Sequence, residues 1–188
     1  MKDYQVILAS KSPRRKELLS HIISNFVVRL KEVDEIYPKD LPAMEVPEFL
    51  AKLKASAFKD ELKINEIILT SDTIVTLDNK IYGKPKDRLD AIRTLQELSG
   101  KVHEVITGVS LMSINKVITF KEITKVHFKD LSLEEIEYYI DTFQPYDKAG
   151  AYAIQEWIGM IGITRIEGDY FNVVGLPLFK LNEALKQF

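Results

Sequence analysis

The stretch "YQVILASKSPRRKELLS", residues 4–20, gives the first evidence about the fold. Its apolar, β-prone start is followed by Ser12 and Pro13, which are typical of a helix N-cap and a first helical position. The serine hydroxyl can accept an amide hydrogen there, and proline needs no amide partner. The stretch therefore predicts a strand, a turn and a helix in succession.

The predicted helix begins with three cations, Arg14, Arg15 and Lys16, at the end where the helix dipole is already positive. An anion bound there, such as a phosphate, would reverse the local field, and Ser10 and Ser12 add hydroxyl groups beside it. A capped surface helix with solvated arginines is the alternative interpretation.

Composition limits the classes of protein that the chain can represent. The 188 residues suit a single domain, 1–188, and no apolar run approaches the roughly 20 residues of a membrane span. The formal net charge of −2 predicts no binding to nucleic acid or to membranes. The absence of cysteine excludes disulfides and thiol catalysis. No secretory signal is evident, so we expect a cytoplasmic location.

The remaining patterns alternate strand–helix units with hairpins, which predicts an α/β fold with a mixed sheet. The expected elements are a strand over 26–35, a helix opened by Pro47, a strand from 66 that continues into a hairpin turning at 78–80, a helix between Asp87 and Gly100, a long hairpin over 103–128, a helix with a capping box at Ser132 and Glu135, short strands among turns over 144–177, and a terminal helix opened by Pro177.

Acidic residues follow two of the predicted strands. Asp72, in "SDT", comes after an apolar run, and ligands gather at the strand ends of α/β sheets. Asp34 and Glu35 could share Mg²⁺ with Asp72, because this ion takes oxygen ligands and retains water. Solvated loop acids are the alternative.

Two further motifs offer polar groups for a ligand. Lys84, in "GKP", lies just past the predicted hairpin and could swing back over the strand ends. Gln155 ends "DKAGAYAIQ" and carries both a donor and an acceptor, which suits a nucleobase edge. A surface lysine and an irregular structural loop are the respective alternatives.

Seven motifs occur in a fixed order along the chain: "LASKSPRRKELL", a carboxylate after the second strand, "SDTIV", "GKP", "SGKVHEVITGV", "DKAGAYAIQ" and "GDYFNVVGLP". Together they resemble the Maf family of nucleoside triphosphate pyrophosphatases, nearly end to end. The segment around Gln155 resembles the branch that acts on dTTP and UTP. The chain departs from that branch at Ala153 and Glu156, where its members usually carry glycine.

The resemblance implies a fold related to inosine triphosphate pyrophosphatases, with an elongated, twisted mixed sheet flanked by helices and two lobes around a cleft. It implies hydrolysis of a nucleoside triphosphate to the monophosphate and pyrophosphate, a divalent cation (Mg²⁺, or Mn²⁺ in its place) and a homodimer. By the same resemblance, Asp72 is the expected general base, and Glu35 and Asp72 are the expected metal-associated carboxylates. The expected substrate-binding residues are Ser10, Arg14, Arg15, Lys54, Thr73, Lys84 and Gln155.

The sequence leaves a second function open, a nucleotide-binding regulator of cell division and septum formation with little turnover. Asp72, Glu35 and Lys84 together favour an enzyme, because a sensor needs the phosphate clamp but no base. Within the enzyme interpretation, the substrate is dTTP and UTP or a modified pyrimidine nucleotide.

Overall fold

A computed structural model describes residues 4–188. Its helices and strands, in chain order, are β1 (Gln5–Leu8), α1 (Pro13–Ser20), β2 (Phe26–Val28), α2 (Val46–Ser56), β3 (Glu66–Leu77), β4 (Lys80–Tyr82), α3 (Arg88–Leu98), β5 (Val102–Met112), β6 (Val117–Phe128), α4 (Leu133–Phe143), α5 (Trp157–Gly162), β7 (Ile163–Glu167), α6 (Tyr170–Val174) and α7 (Leu178–Leu185). No helix within 4–188 is long and apolar enough to cross a membrane.

Helix starts follow the capping signals of the sequence. The Ser12 hydroxyl accepts the Arg15 amide hydrogen at 3.4 Å, and α1 begins at Pro13 as predicted. At α4 the capping box is complete, because the Ser132 hydroxyl accepts from the Glu135 amide at 3.2 Å and the Glu135 carboxylate accepts from the Ser132 amide at 3.0 Å. These local contacts fix where the two helices begin.

Seven strands form one mixed sheet, in the order β2-β1-β3-β5-β6-β7 with β4 paired to β3. β1 is parallel to both β2 and β3, with Leu8 opposite Val28 on one side and Leu69 on the other. β4 and β7 run antiparallel to β3 and β6, respectively. The β3–β4 hairpin turns at Asp78 and Asn79, whose φ values of 51° and 63° are those of a type I′ turn. The predicted mixed sheet is confirmed.

The described residues divide into two compact units. The first comprises 4–72, 107–122 and 175–188, and one of its apolar clusters is formed by Ile7, Ala55, Phe58, Leu62, Ile68 and Met112. Gly108 is required in this unit, because a Cβ at this position would collide with the backbone of Pro47 and Glu48 where α2 begins. This close approach brings α2 directly against β5.

The second unit comprises 73–106 and 123–174. Its core packs α3 and α4 on the sheet through large buried side chains that include Leu95, Leu98, Phe128, Ile136 and Tyr139. The buried His103 side chain contacts the Tyr152 hydroxyl at 2.7 Å, and burial lowers the pKa of His103 to about 3. His103 is therefore a neutral core residue at physiological pH.

Three expectations about the elements were wrong. The predicted strand over 26–35 stops at Val28, because its partner β1 ends opposite that residue, at Leu8. Asp72 does not end a strand: β3 loses β1 as a partner after Leu69 but continues, and β4 pairs with it from Val75 onward. The glycine-rich segment over 144–177 contains the short helices α5 and α6 as well as β7.

Candidate active site

In the first unit, one lysine joins the two carboxylates that the sequence singled out. Lys54 lies in the last turn of α2, and its Nζ is 2.7 Å from Asp72 Oδ1 and 2.9 Å from Glu35 Oε1. The Lys54 and Asp72 side chains are mostly buried, with 17% and 14% of their area exposed, whereas Glu35 is about half exposed. Asp34 and Glu35 are both exposed on the same loop, and Glu35 is the member of the pair that contacts Lys54.

Arg15 holds the backbone next to Asp72. Its Nη1 donates to the Ser71 carbonyl oxygen and its Nε donates to the Gly175 carbonyl oxygen, both at 2.9 Å. Burial lowers the pKa of Arg15, while the negative charges of Asp72 and Glu35 act in the opposite direction. An arginine remains charged at physiological pH despite such a shift, so Arg15 adds a positive charge close to both carboxylates.

The start of α1 supplies further polar groups to this unit. The Ser10 hydroxyl accepts the Ser12 amide hydrogen at 3.2 Å, which orders the turn between β1 and α1. Arg14 is close enough to Arg15 for its charge to lower the pKa of Arg15. Two arginines at a helix N-terminus therefore share one region with Asp72, an arrangement that suits an anion.

The carboxylates suit a divalent cation of the kind that takes few protein ligands. Within residues 4–188 there is no group of three or more His, Asp or Glu side chains that could hold a metal ion. Asp72 and Glu35 nevertheless converge on a single cationic atom, the Lys54 nitrogen. Mg²⁺ is commonly bound by one or two carboxylates, with water and substrate phosphates completing its shell. The donor set fits such an ion.

The other predicted residues belong to the second unit. Thr73 directly follows Asp72 in β3 and is half-buried. Lys84 is exposed, and its segment is tied to the loop before Gln155 by a hydrogen bond from the Gly150 amide to the Gly83 carbonyl oxygen at 3.1 Å. The second unit thus places "GKP" and "DKAGAYAIQ" side by side.

Gln155 lies in a tight turn just before α5. Its Oε1 atom is buried and has no hydrogen-bond partner among the described residues. Such an atom costs free energy unless it is satisfied by a partner. A ligand N–H group would provide that partner.

Sequence reasoning missed two features of these regions. The Ser71 carbonyl holds Arg15, and the buried Ser71 hydroxyl has no partner in the described chain. Tyr139, in α4, contacts both ends of the turn that carries Gln155. The position of Ser71 next to Asp72 is a signal that could have been used, but no short-range pattern links Tyr139 to residues 14 and 17 positions away.

The fold defines an α/β class that includes the HAM1 proteins. The HAM1 protein of Coxiella burnetii superposes with a TM-score of 0.52 over 98% of this chain and 100% of its own, at 14% identity. The Ham1 protein of Staphylococcus aureus has a TM-score of 0.50 over 67% of this chain and 72% of its own, at 16% identity. These likenesses confirm the predicted fold class.

The chain belongs to the Maf-like protein family, whose sequence model matches residues 5–188. A curated protein of Flavobacterium johnsoniae, named dTTP/UTP pyrophosphatase, is 51% identical over 185 residues, 98% of this chain and 95% of the relative. Proteins with the same name are 54% identical in Flavobacterium psychrophilum, over 94% of this chain and 91% of the relative, and 50% identical in Bacteroides thetaiotaomicron, over 98% and 96%. The family predicted from the motifs is confirmed.

Proposed function

We propose that this chain hydrolyses nucleoside triphosphates, dTTP and UTP among them, to the nucleoside monophosphate and pyrophosphate. The observation that carries the proposal is the Lys54 bridge between Asp72 and Glu35, next to the charge of Arg15. The group combines carboxylates that can accept a proton with cations that can hold phosphate. Full-length relatives named dTTP/UTP pyrophosphatase support the same reaction.

Cationic side chains bind the triphosphate in this proposal. Arg14 and Lys54 provide positive charge in the first unit, and the turn at Ser10 adds a hydroxyl group beside the positive end of the α1 dipole. Lys84, exposed in the second unit, is an additional cation for the phosphates. Arg15 contributes charge, while two of its N–H groups keep the backbone at Ser71 and Gly175 in place.

Asp72 acts on the water in the bond-breaking step. One carboxylate oxygen of Asp72 orients a water molecule and accepts its proton while the water oxygen bonds to phosphorus. The bridging P–O bond between the α- and β-phosphates breaks, and pyrophosphate leaves with the electron pair. Lys54, in contact with Asp72 at 2.7 Å, fixes the direction of the carboxylate before the substrate arrives.

The proposal includes a divalent cation, Mg²⁺ or Mn²⁺, held by Glu35 and Asp72. When bound, this ion lowers the pKa of water and neutralises phosphate charge. Lys54 contacts both carboxylates and is therefore the residue whose position such an ion would change.

The proposed substrate class is that of pyrimidine nucleotides, with modified pyrimidines as a second possibility. Gln155 supports it, because its buried oxygen can accept the ring N–H that uracil and thymine share. Thr73, next to Asp72, is the second proposed specificity residue.

We also propose that the protein works as a homodimer in the cytoplasm, where nucleoside triphosphates are abundant. Light scattering on the purified protein tests the dimer, and a mass equal to that of one chain would refute it. Cell fractionation tests the location.

Pyrophosphate release from a panel of canonical and modified nucleoside triphosphates, with Mg²⁺ or Mn²⁺, tests the reaction. We expect release from dTTP and UTP that falls at least a thousandfold in Asp72→Asn, because the amide cannot accept the proton. Asp34→Asn is the matched control, since Asp34 is exposed and lies next to Glu35. Nucleotide binding without release from any substrate would refute hydrolysis and favour the regulator.

A further inference from the structure

One buried hydroxyl group holds both ends of the turn that carries Gln155. The Tyr139 hydroxyl accepts the Ala153 amide hydrogen at 3.1 Å and donates to the Glu156 carboxylate. The Glu156 amide also donates to the Ala153 carbonyl oxygen at 3.1 Å. Gln155 therefore lies between Ala153 and Glu156, which are hydrogen-bonded to each other and to the Tyr139 hydroxyl.

The charges around this hydroxyl keep it in the donating form. Tyr139 is fully buried, and burial together with the neighbouring Glu156 carboxylate raises the pKa of Tyr139. Lys148 Nζ is 3.4 Å from Glu156 Oε1 and 2.8 Å from Asp147 Oδ1. The negative charge of Glu156 is thus partly balanced inside the loop by a mostly buried lysine.

Helix α5, which follows Gln155 in the chain, packs closely against the same turn. A Cβ atom at Gly159, in α5, would overlap the carbonyl oxygen of Ile154. Ile154 itself is buried, so the backbone immediately before Gln155 has no room to move toward α5. The turn is constrained from the side of α4 by Tyr139 and from the side of α5 by Gly159.

A fixed carboxamide is needed to distinguish pyrimidines. Uracil and thymine present a ring N–H beside a carbonyl oxygen, whereas cytosine presents a ring acceptor beside an amino group. A carboxamide pairs with either edge if it can rotate, because it carries both a donor and an acceptor. Selection against cytosine therefore requires that the amide oxygen of Gln155 stay where its buried position places it.

We infer that Tyr139 and Glu156 are positioning residues that make Gln155 selective for uracil and thymine over cytosine. Their hydrogen bonds act on the turn and do not contact the substrate. The inference rests on the proposed function, because it concerns the base of the same nucleotide.

The test compares the dissociation constants of UTP and CTP in an Asp72→Asn background, so that base selection is measured independently of turnover. Trp157 is the single tryptophan of the chain and follows Glu156 directly, so its fluorescence serves as the binding signal, with calorimetry as a second method. Tyr139→Phe removes both hydrogen bonds of the hydroxyl group and Glu156→Ala removes the one to the carboxylate, and we expect the preference for UTP to fall about tenfold or more in each. Glu156→Gln can still accept from Tyr139 and should stay within twofold of the parent.

The matched control is Glu134→Gln, which changes an exposed residue of the same helix and should leave the preference unchanged. Thermal melts identify any variant that fails to fold. If Tyr139→Phe or Glu156→Ala is lost in this way, the comparison of Glu156→Gln with the variant that still folds tests the inference. A wild-type UTP/CTP ratio in folded Tyr139→Phe and Glu156→Ala would overturn the inference. So would a loss in Glu156→Gln equal to that in Glu156→Ala. Failure of the proposed function has a different signature, namely selective binding without pyrophosphate release in the wild-type protein.

Discussion

Replacing Arg15 with lysine separates the charge of this residue from its hydrogen bonds. The guanidinium donates to two backbone carbonyl oxygens, those of Ser71 and Gly175, each at 2.9 Å. A lysine keeps the positive charge but cannot reproduce the planar fork that spans both acceptors. Arg15→Lys should therefore lose one of the two contacts, and Arg15→Met should lose both together with the charge.

The expected loss follows from these two contacts. A hydrogen bond from a charged donor contributes about 1.5 to 3 kcal/mol net, so Arg15→Lys should lower the free energy of unfolding by about 2 kcal/mol and Arg15→Met by about 4. For a chain of this size, about 2 kcal/mol corresponds to a fall in Tm of about 4 to 8 °C. Urea denaturation and calorimetry at neutral pH measure both quantities.

Lys16→Met is the control, because Lys16 is an exposed cation in the same helical turn and should change the unfolding free energy by less than about 0.5 kcal/mol. Arg15→Lys with wild-type stability would refute the reasoning that the two carbonyl contacts anchor this region. A drop in stability equal to that of Arg15→Met would show instead that lysine retains neither contact.

Two further predictions concern stability. Glu66 is held by both terminal nitrogens of Arg29, at 3.2 and 2.8 Å, and the hydrogen bonds from Arg29 lower the pKa of Glu66 below its usual value. The stabilisation by this ion pair is therefore complete above the pKa of Glu66 in the unfolded chain, and it disappears as the pH falls through the lower pKa of Glu66 in the folded protein. Glu66→Gln should lower the free energy of unfolding by about 2 kcal/mol at pH 7 and by progressively less in acid. Urea titrations that show the same difference between variant and wild type across this pH range would contradict the assignment. Gly108→Ala should lower the free energy of unfolding by about 1 to 3 kcal/mol, because the added methyl group collides with the backbone of Pro47. In the control Gly83→Ala, the added methyl group meets nothing within 4 Å, and this variant should melt at the same temperature as the wild type. Equal melting temperatures of the two variants would contradict the packing argument.

The helix boundaries were predictable where neighbouring residues set them. Ser12 with Pro13, and Ser132 with Glu135, form caps whose donors and acceptors lie within a few positions of one another. The end of α1 was less predictable: apolar residues recur at helical spacing through Ile23, but the helix stops at Ser20 and continues as a turn. Apolar periodicity does not distinguish a last helical turn from a turn that packs in the same place.

The short helices α5 and α6 were missed for a related reason. They have six and five residues, respectively, which is too short for a helical period to appear, and glycine at 159 and 162 suggests a turn. Their formation depends on packing in the second unit, where Ile158 is fully buried. Tertiary contacts of this kind are invisible in a local pattern.

The same distinction between local patterns and long-range contacts applies to the candidate site. The residue types that carry chemistry could be found from motifs, including Asp72 and Gln155. The choice of Glu35 over Asp34 came only from the family resemblance, because the residue pattern itself does not show which carboxylate reaches Lys54 from a loop without regular structure. Contacts between residues distant in the chain decide such choices.

The close packing of Gly159 against the Ile154 carbonyl also bears on how the protein can change during evolution. Every substitution at 159 introduces a Cβ atom, so this position cannot change, whereas Gln155 and Glu156, the residues proposed to act in nucleobase selection, meet no such restriction. Glycine at 159 should thus be retained in descendants that have exchanged their substrate. Glycine would be retained at 159 because no side chain fits there. Conservation at this position would therefore reflect packing and would not indicate a catalytic role.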